Sequence, residues 1–225
     1  MTYPHVPLAS VIAEHFCQSV ISAQRDDRPY RHWKLTDILP ESVCTGILTL
    51  PIAPADLGRT DGTRGSYNDR RTFLTPALRA KFPTCDALSE ALQTPKVAAL
   101  MARTCDIDVD GAFLRIEYMQ DIDGAWLEPH HDIPEKLFSM VIYLFVGPDG
   151  KDWGTDIYDS ERRWVARSSG EFNSGTIFVP GENTWHGFEP RKIEGVRRLM
   201  EVNYVRPSWR SREQLSFPER SIHAQ

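Results

Sequence analysis

An α+β, β-rich fold is expected for this 225-residue chain on three grounds. Before Ala112 the apolar side chains recur every three to four residues, the interval of helices; beyond it they recur every two. The later half is a succession of short strand-length segments punctuated by glycine, proline and asparagine. A hydrophobic content of 41% and a charged content of 25% are those of an ordinary folded chain, without repeats or low-complexity segments. Helices followed by a run of short strands imply a sandwich or barrel with helical support outside it.

The elements follow in order. From Val6 to Gln24, Leu8, Ile12, Phe16 and Val20 sit at helical spacing with Ala9, Ala13 and Ile21 beside them. This amphipathic helix ends at the polar run Arg25-Asp26-Asp27-Arg28-Pro29 and is expected to pack on the body, with a partner-binding helix as the alternative. Within Tyr30–Leu39, the stretch His32-Trp33-Lys34-Leu35 suits a short strand. A helix runs from Pro40-Glu41 to Leu50, started by proline and an acidic residue and stopped by Pro51 and Pro54. The segment from Gly58 to Ser66 has loop chemistry. Arg70 and Arg71 after it are expected to be solvated or salt-bridged, with contact to an acidic substrate as the alternative. Short helices fit Thr84–Gln93 and Pro95–Arg103, contributing Leu88, Leu92, Val97 and Leu100 to the core.

Strands then fit Phe113–Met119, ended by the polar turn Gln120–Gly124, and Leu137–Val146, ended by the turn Gly147-Pro148-Asp149-Gly150. Further strands fit Thr155–Tyr158, Trp164–Ala166, Thr176–Pro180 and Arg198–Val205. The chain is expected to be a single domain over 1–225: helical support over 1–110, a β core over 111–206 and a polar C-terminal surface extension over 207–225.

The chemistry concentrates in Trp126-Leu127-Glu128-Pro129-His130-His131-Asp132 and in Thr184-Trp185-His186-Gly187. In an extended strand, residues i and i+2 face the same way, so His130 and Asp132 converge and His131 turns outward. His186 follows a short apolar strand and a turn. In a double-stranded β-helix (a jelly roll, cupin-like) such distant strands become neighbours. Two imidazoles and a carboxylate on one side of a metal suit iron(II) with open positions; zinc accepts the same set. His5, His15, His32 and His223 take the ordinary reading of lone histidines.

On the terminal strand Arg198, Met200, Val202 and Tyr204 share a face, which is expected to point inward because it is largely apolar. An arginine entering such a cavity needs an anionic partner, and a dicarboxylic cosubstrate would provide one. Arg198 is preferred; Arg197 takes its place if a bulge exchanges the two.

Together His130-x-Asp132, His186, an arginine eleven or twelve residues beyond it, and the run Phe178-Val179-Pro180-Gly181-x-x-x-Trp185-His186-Gly187 resemble the Fe(II)- and 2-oxoglutarate-dependent dioxygenase superfamily, especially its prolyl-hydroxylase-like branch. The resemblance covers Ala112 to Val205. It implies a double-stranded β-helix core with N-terminal supporting helices, Fe(II) on His130, Asp132 and His186, and 2-oxoglutarate and O2 as cosubstrates. It further implies that Arg198 or Arg197 holds 2-oxoglutarate, assisted by Tyr118 and Tyr143. Gly154-Thr155-Asp156 departs from the branch's Gly-Gly-Glu type sequence, which puts substrate analogies in doubt. The implied reaction hydroxylates an unactivated C–H bond while 2-oxoglutarate is decarboxylated to succinate. Related halogenases lack the carboxylate that Asp132 supplies here, so hydroxylation is favoured.

The expected substrate is a small metabolite, with a peptidyl residue as runner-up. A cupin-like metal enzyme without 2-oxoglutarate and a non-catalytic binding protein are the competing readings. The net charge of −5 argues against a nucleic-acid partner held by bulk basicity. No apolar stretch approaches the ~20 residues of a membrane span. Four dispersed cysteines (Cys17, Cys44, Cys85, Cys105) suggest buried, reduced thiols in a cytoplasmic protein, and oligomeric state has no signature in the sequence.

Overall fold

The computed structural model describes residues 7–55, 61–63, 71–147 and 150–224. Among the described residues five α-helices, α1 (Leu8–Ile21), α2 (Glu41–Leu48), α3 (Pro76–Lys81), α4 (Pro83–Leu92) and α5 (Pro95–Cys105), precede most of the strands. On α1 the buried side chains include Ile12, Ala13, Phe16, Cys17 and Val20, the stripe that helical spacing predicts. Helices α3 and α5 begin on the same device: Thr75 and Thr94 accept from the backbone N–H three residues on, and proline stands at the first turn. The α3 helix was not expected from the sequence.

The strands are β1 (Gln24–Asp26), β2 (His32–Leu35), β3 (Arg71–Phe73), β4 (Phe113–Asp121), β5 (Leu127–His130), β6 (Lys136–Tyr143), β7 (Asp156–Tyr158), β8 (Trp164–Arg167), β9 (Ser174–Phe178), β10 (His186–Phe188) and β11 (Arg197–Val205). They form a seven-stranded sheet, β1-β2-β9-β6-β11-β4-β3, and a four-stranded sheet, β5-β10-β7-β8. Every pairing is antiparallel. This two-sheet core with helices outside is the expected α+β, double-stranded β-helix arrangement.

The large sheet has two distinct faces. Leu114, Ile116, Tyr118, Met140, Ile142, Met200, Val202 and Tyr204 join Ile12, Phe16, Leu88, Leu92, Val97 and Met101 of the helices in one core cluster. The Tyr204 hydroxyl completes that contact by donating to the Leu92 carbonyl at 2.6 Å. The opposite face, turned to the small sheet, carries Glu117, Asp121, Ser139, Arg197, Glu201 and Asn203, all buried. Opposed residues on neighbouring antiparallel strands share a face. Leu199 therefore stands beside Met119 and Tyr143, and Glu201 beside Glu117 and Val141.

Several local expectations change. Gln120 and Asp121 belong to β4 and do not form a turn, because both pair across to β11. Arg71 begins a strand, and Arg70 lies outside the described residues, as do Pro148 and Asp149 of the expected turn. β1 forms from the polar run after α1, where backbone pairing with β2 outweighs weak strand propensity. The tail is no surface extension: Leu215, Ser216 and Ile222 are buried, Leu215 bridges to Arg115, and the Ile222 N–H donates to the Ala112 carbonyl at 2.7 Å.

Candidate metal centre

The small sheet brings two histidines together. His130 closes β5 and stands directly across from His186, which opens β10. Their ring centroids are 4.3 Å apart. Asp132 lies two residues beyond the end of β5, so the expected single extended strand stops short of it. What turns its carboxylate inward is the large sheet: Lys136 donates to Oδ1 at 2.8 Å and Ser139 to Oδ2 at 2.5 Å. One ligand atom from each of His130, Asp132 and His186 lies within 4.8 Å of the others. His131 is exposed and packs edge-on against Trp185, as alternation predicted.

Both imidazoles are set as metal ligands by their backbone partners. His130 Nδ1 lies 2.9 Å from the Glu128 carbonyl and His186 Nδ1 lies 2.9 Å from the Thr184 carbonyl. A carbonyl only accepts, so each Nδ1 carries a proton, and in the neutral imidazole each Nε2 then keeps its lone pair. His186 Nε2 is 4.0 Å from Asp132 Oδ2. Two neutral imidazoles and one carboxylate on one side of a point are the donor set of non-haem iron(II), and they fit it.

Glycine enforces this geometry at two places. A Cβ at Gly187 would sit 2.7 Å from the Leu127 carbonyl oxygen and 3.2 Å from Glu128, separating β10 from β5. At Gly154 it would fall 1.7 Å from the Ser168 carbonyl oxygen. That approach places Thr155 and Ser168 on the Tyr143 hydroxyl, at 2.6 and 2.7 Å.

The centre opens into a cavity of about 610 Å³, mouth included, lined by the triad together with Arg71, Asp121, Thr155, Arg197 and Glu201 among others. Its apolar walls come from Met119, Leu127, Val141, Phe178 and Leu199. At one end the Arg197 guanidinium donates to the Trp153 carbonyl at 2.7 Å and to Asp121 Oδ2 at 2.5 Å, and stacks over Phe188 at 3.9 Å. Tyr30 packs its ring against Phe178, near His186, and burial pushes its phenol well above the usual range.

Arg197, then, faces the cavity, and the expectation that Arg198 does so is corrected. The apolar face of β11 is buried against the helices; the face lining the cavity is the polar one. Arg198 instead donates to Gln120 at 3.3 Å, and Tyr118, on the same helix-facing side, lies beside it. Tyr118 is therefore not in the cavity. Tyr143 borders it through Thr155.

No family model matches the chain, and no curated protein matches it in sequence. Solved structures do match. A prolyl hydroxylase of Trichoplax adhaerens, in complex with a hypoxia inducible factor peptide fragment, superposes with a TM-score of 0.55 at 13% identity, over 88% of this chain and 90% of that one. The Pseudomonas putida prolyl-4-hydroxylase gives 0.54 at 15% identity, over 89% and 100%. A viral collagen prolyl hydroxylase from Paramecium Bursaria Chlorella virus-1, solved as a 2OG complex, gives 0.53 at 13% identity, over 78% and 96%. The fold is that of the prolyl hydroxylases.

Around the cavity the fold also buries charges that sequence reasoning missed. Lys136, Asp121 and Glu201 had visible signals. Lys136 opens an apolar strand four residues after Asp132, Glu201 interrupts the apolar run Leu199-Met200-Glu201-Val202, and Asp121 ends a strand where a turn was expected. A charge within a buried strand requires a partner. Asp156, at the departure from the Gly-Gly-Glu pattern, is fully buried and takes Arg167, Arg191, Trp164 and the Glu189 N–H, so it braces β7 and does not line the cavity.

Proposed function

We propose that the chain is an Fe(II)- and 2-oxoglutarate-dependent dioxygenase that hydroxylates a small metabolite. One observation carries the reading: two imidazoles donating from Nδ1 and a carboxylate converge on a cavity that a buried guanidinium also lines. When bound, Fe(II), 2-oxoglutarate and O2 supply the oxidising chemistry, in which a substrate C–H becomes C–OH and 2-oxoglutarate becomes succinate and CO2.

The protein's share is binding and orientation. His130, Asp132 and His186 would hold the ion. Arg197, a planar fork with five N–H donors, uses one on Trp153 and one on Asp121; the rest of the fork and Thr155 suit the distal carboxylate of 2-oxoglutarate. Lys136 and Ser139 fix which way the Asp132 carboxylate turns. Met119, Val141, Phe178 and Leu199 keep the reacting region dry.

Anaerobic addition of Fe(II) and 2-oxoglutarate is expected to produce a visible metal-to-ligand charge-transfer band, and oxygen is then expected to release succinate. Absence of both refutes the proposal. The peptidyl alternative is favoured by the peptide complex of the Trichoplax neighbour. Comparing succinate release stimulated by metabolite pools and by proline-containing peptides separates the two. A cytoplasmic setting belongs to the proposal and is supported by four buried cysteines, all free.

A further inference from the structure

We propose that the cavity beside the metal centre takes a small protonated amine, with Asp121 Oδ1 accepting from its ammonium. The inference rests on the hydroxylase reading and deepens it by naming the substrate class.

Asp121 ends β4 and stands across from Arg197 at the start of β11. It lines the same cavity as His130, Asp132 and His186. Its Oδ2 accepts from the Arg197 guanidinium at 2.5 Å. Its Oδ1, on a residue 4% exposed, has no hydrogen-bond partner among the described residues. A buried carboxylate oxygen left without a donor is costly, and an ionised carboxylate can only accept. The missing group is therefore an N–H or O–H brought by a ligand.

Charge decides between the two. Arg71, which also lines the cavity, stands within ion-pair reach of Glu117 at 3.8 Å, and Glu201 accepts from Lys136. Each thus has an opposite charge of the protein beside it. Around Asp121 the balance changes when the cosubstrate binds, because Arg197 then faces two carboxylates, that of Asp121 and the distal one of 2-oxoglutarate. One guanidinium between two buried anions leaves an excess of negative charge, which a neutral hydroxyl would not offset. An ammonium supplies donor and charge together, in a charge-assisted hydrogen bond. Met119, Leu127 and Leu199 give its carbon skeleton apolar walls. The cavity of about 610 Å³, mouth included, must also hold the cosubstrate, which suits an amine of a few heavy atoms.

The test uses the protein loaded anaerobically with Fe(II) and 2-oxoglutarate at neutral pH, where alkylamines are protonated. Butylamine, cyclohexylamine and benzylamine are titrated beside the alcohol that matches each, and binding is read by calorimetry and by the shift of the charge-transfer band. At least one amine is expected to bind at millimolar concentration or below, and at least about tenfold more tightly than its alcohol. Asp121→Asn keeps the shape and removes the charge. In that variant the amine is expected to weaken at least about tenfold, while the alcohol and 2-oxoglutarate, the latter titrated on the band, weaken less than about threefold. The comparison of amine with alcohol keeps the test decisive if the variant fails to fold. A normal band with no amine bound, amine and alcohol bound alike, or an Asn variant that still prefers the amine about tenfold overturns this inference alone. An amine preferred over its alcohol without any band supports this site and sinks the hydroxylase reading.

Discussion

Replacing Arg197 and its partner Asp121 together, as Arg197→Gln/Asp121→Asn, isolates the role of the buried cation. Arg197 alone is a poor perturbation, because it would strand the Asp121 carboxylate, 4% exposed, at a cost of about 3–5 kcal/mol. The double substitution removes both charges and keeps shape and hydrogen-bonding capacity. Hydrogen bonds to charged groups contribute about 1.5–3 kcal/mol each, so losing a two-point carboxylate contact less its amide replacement costs about 2–4 kcal/mol. At about 1.4 kcal/mol per decade, the dissociation constant for 2-oxoglutarate is expected to rise roughly 30- to 700-fold. Titration of 2-oxoglutarate against the charge-transfer band at saturating Fe(II) measures it. Arg198→Gln serves as control, since Arg198 bonds Gln120 on the opposite face, and is expected to change the constant less than about threefold. Equal losses in the two variants, or none in the double variant, would refute the assignment of Arg197.

Three further outcomes are expected of the metal ligands, the β5–β10 contact and the buried thiols. His186→Ala leaves one imidazole and one carboxylate, and Co(II) titrated anaerobically is expected to bind at least a hundredfold more weakly, with loss of its visible absorption; unchanged absorption would contradict the triad. Gly187→Ala is expected to lower the thermal midpoint by several degrees and weaken Co(II) binding together, because β10 must retreat from the Leu127 carbonyl; a fall in midpoint with full metal affinity would show that the strands relax elsewhere. Burial pushes the Cys85 thiol up to about 11 and the Cys44 and Cys105 thiols up to about 12. Unfolded thiols ionise near about 8.5, so the stability these groups contribute is intact below that pH and is lost as pH rises towards 11–12. Each is expected to steepen alkaline loss of stability by at most about 1.4 kcal/mol per pH unit, which urea melts between pH 8 and 10.5 with and without Cys→Ala substitutions would detect.

The period change at Ala112 was a sound guide because the buried faces of α1, α4 and β4 are set by side-chain spacing alone. That His130 and His186 come together was also legible, because a double-stranded β-helix makes such distant strands neighbours, though their direct register was not. What sequence could not settle was which face of a strand meets which layer. On β11 both sides are buried, so an apolar stripe does not distinguish a helical core from a cavity. That ambiguity put Arg198 on the wrong side, while Tyr118 was carried into the cavity only by the family resemblance. Asp132 lies past the end of β5 and reached the centre for another reason: Lys136 and Ser139 hold it from β6. Such tertiary partners have no signature in the His-x-Asp spacing.

The division of the triad between layers has a thermodynamic consequence. His130 and His186 belong to the small sheet, while Asp132 is fastened to the large one. An ion bound by all three is a cross-link between sheets, so releasing it and letting the sheets part are linked equilibria. Each decade of metal affinity then adds about 1.4 kcal/mol against opening of the sandwich. The cavity accordingly cannot admit a larger guest by spreading its walls without giving up the ion.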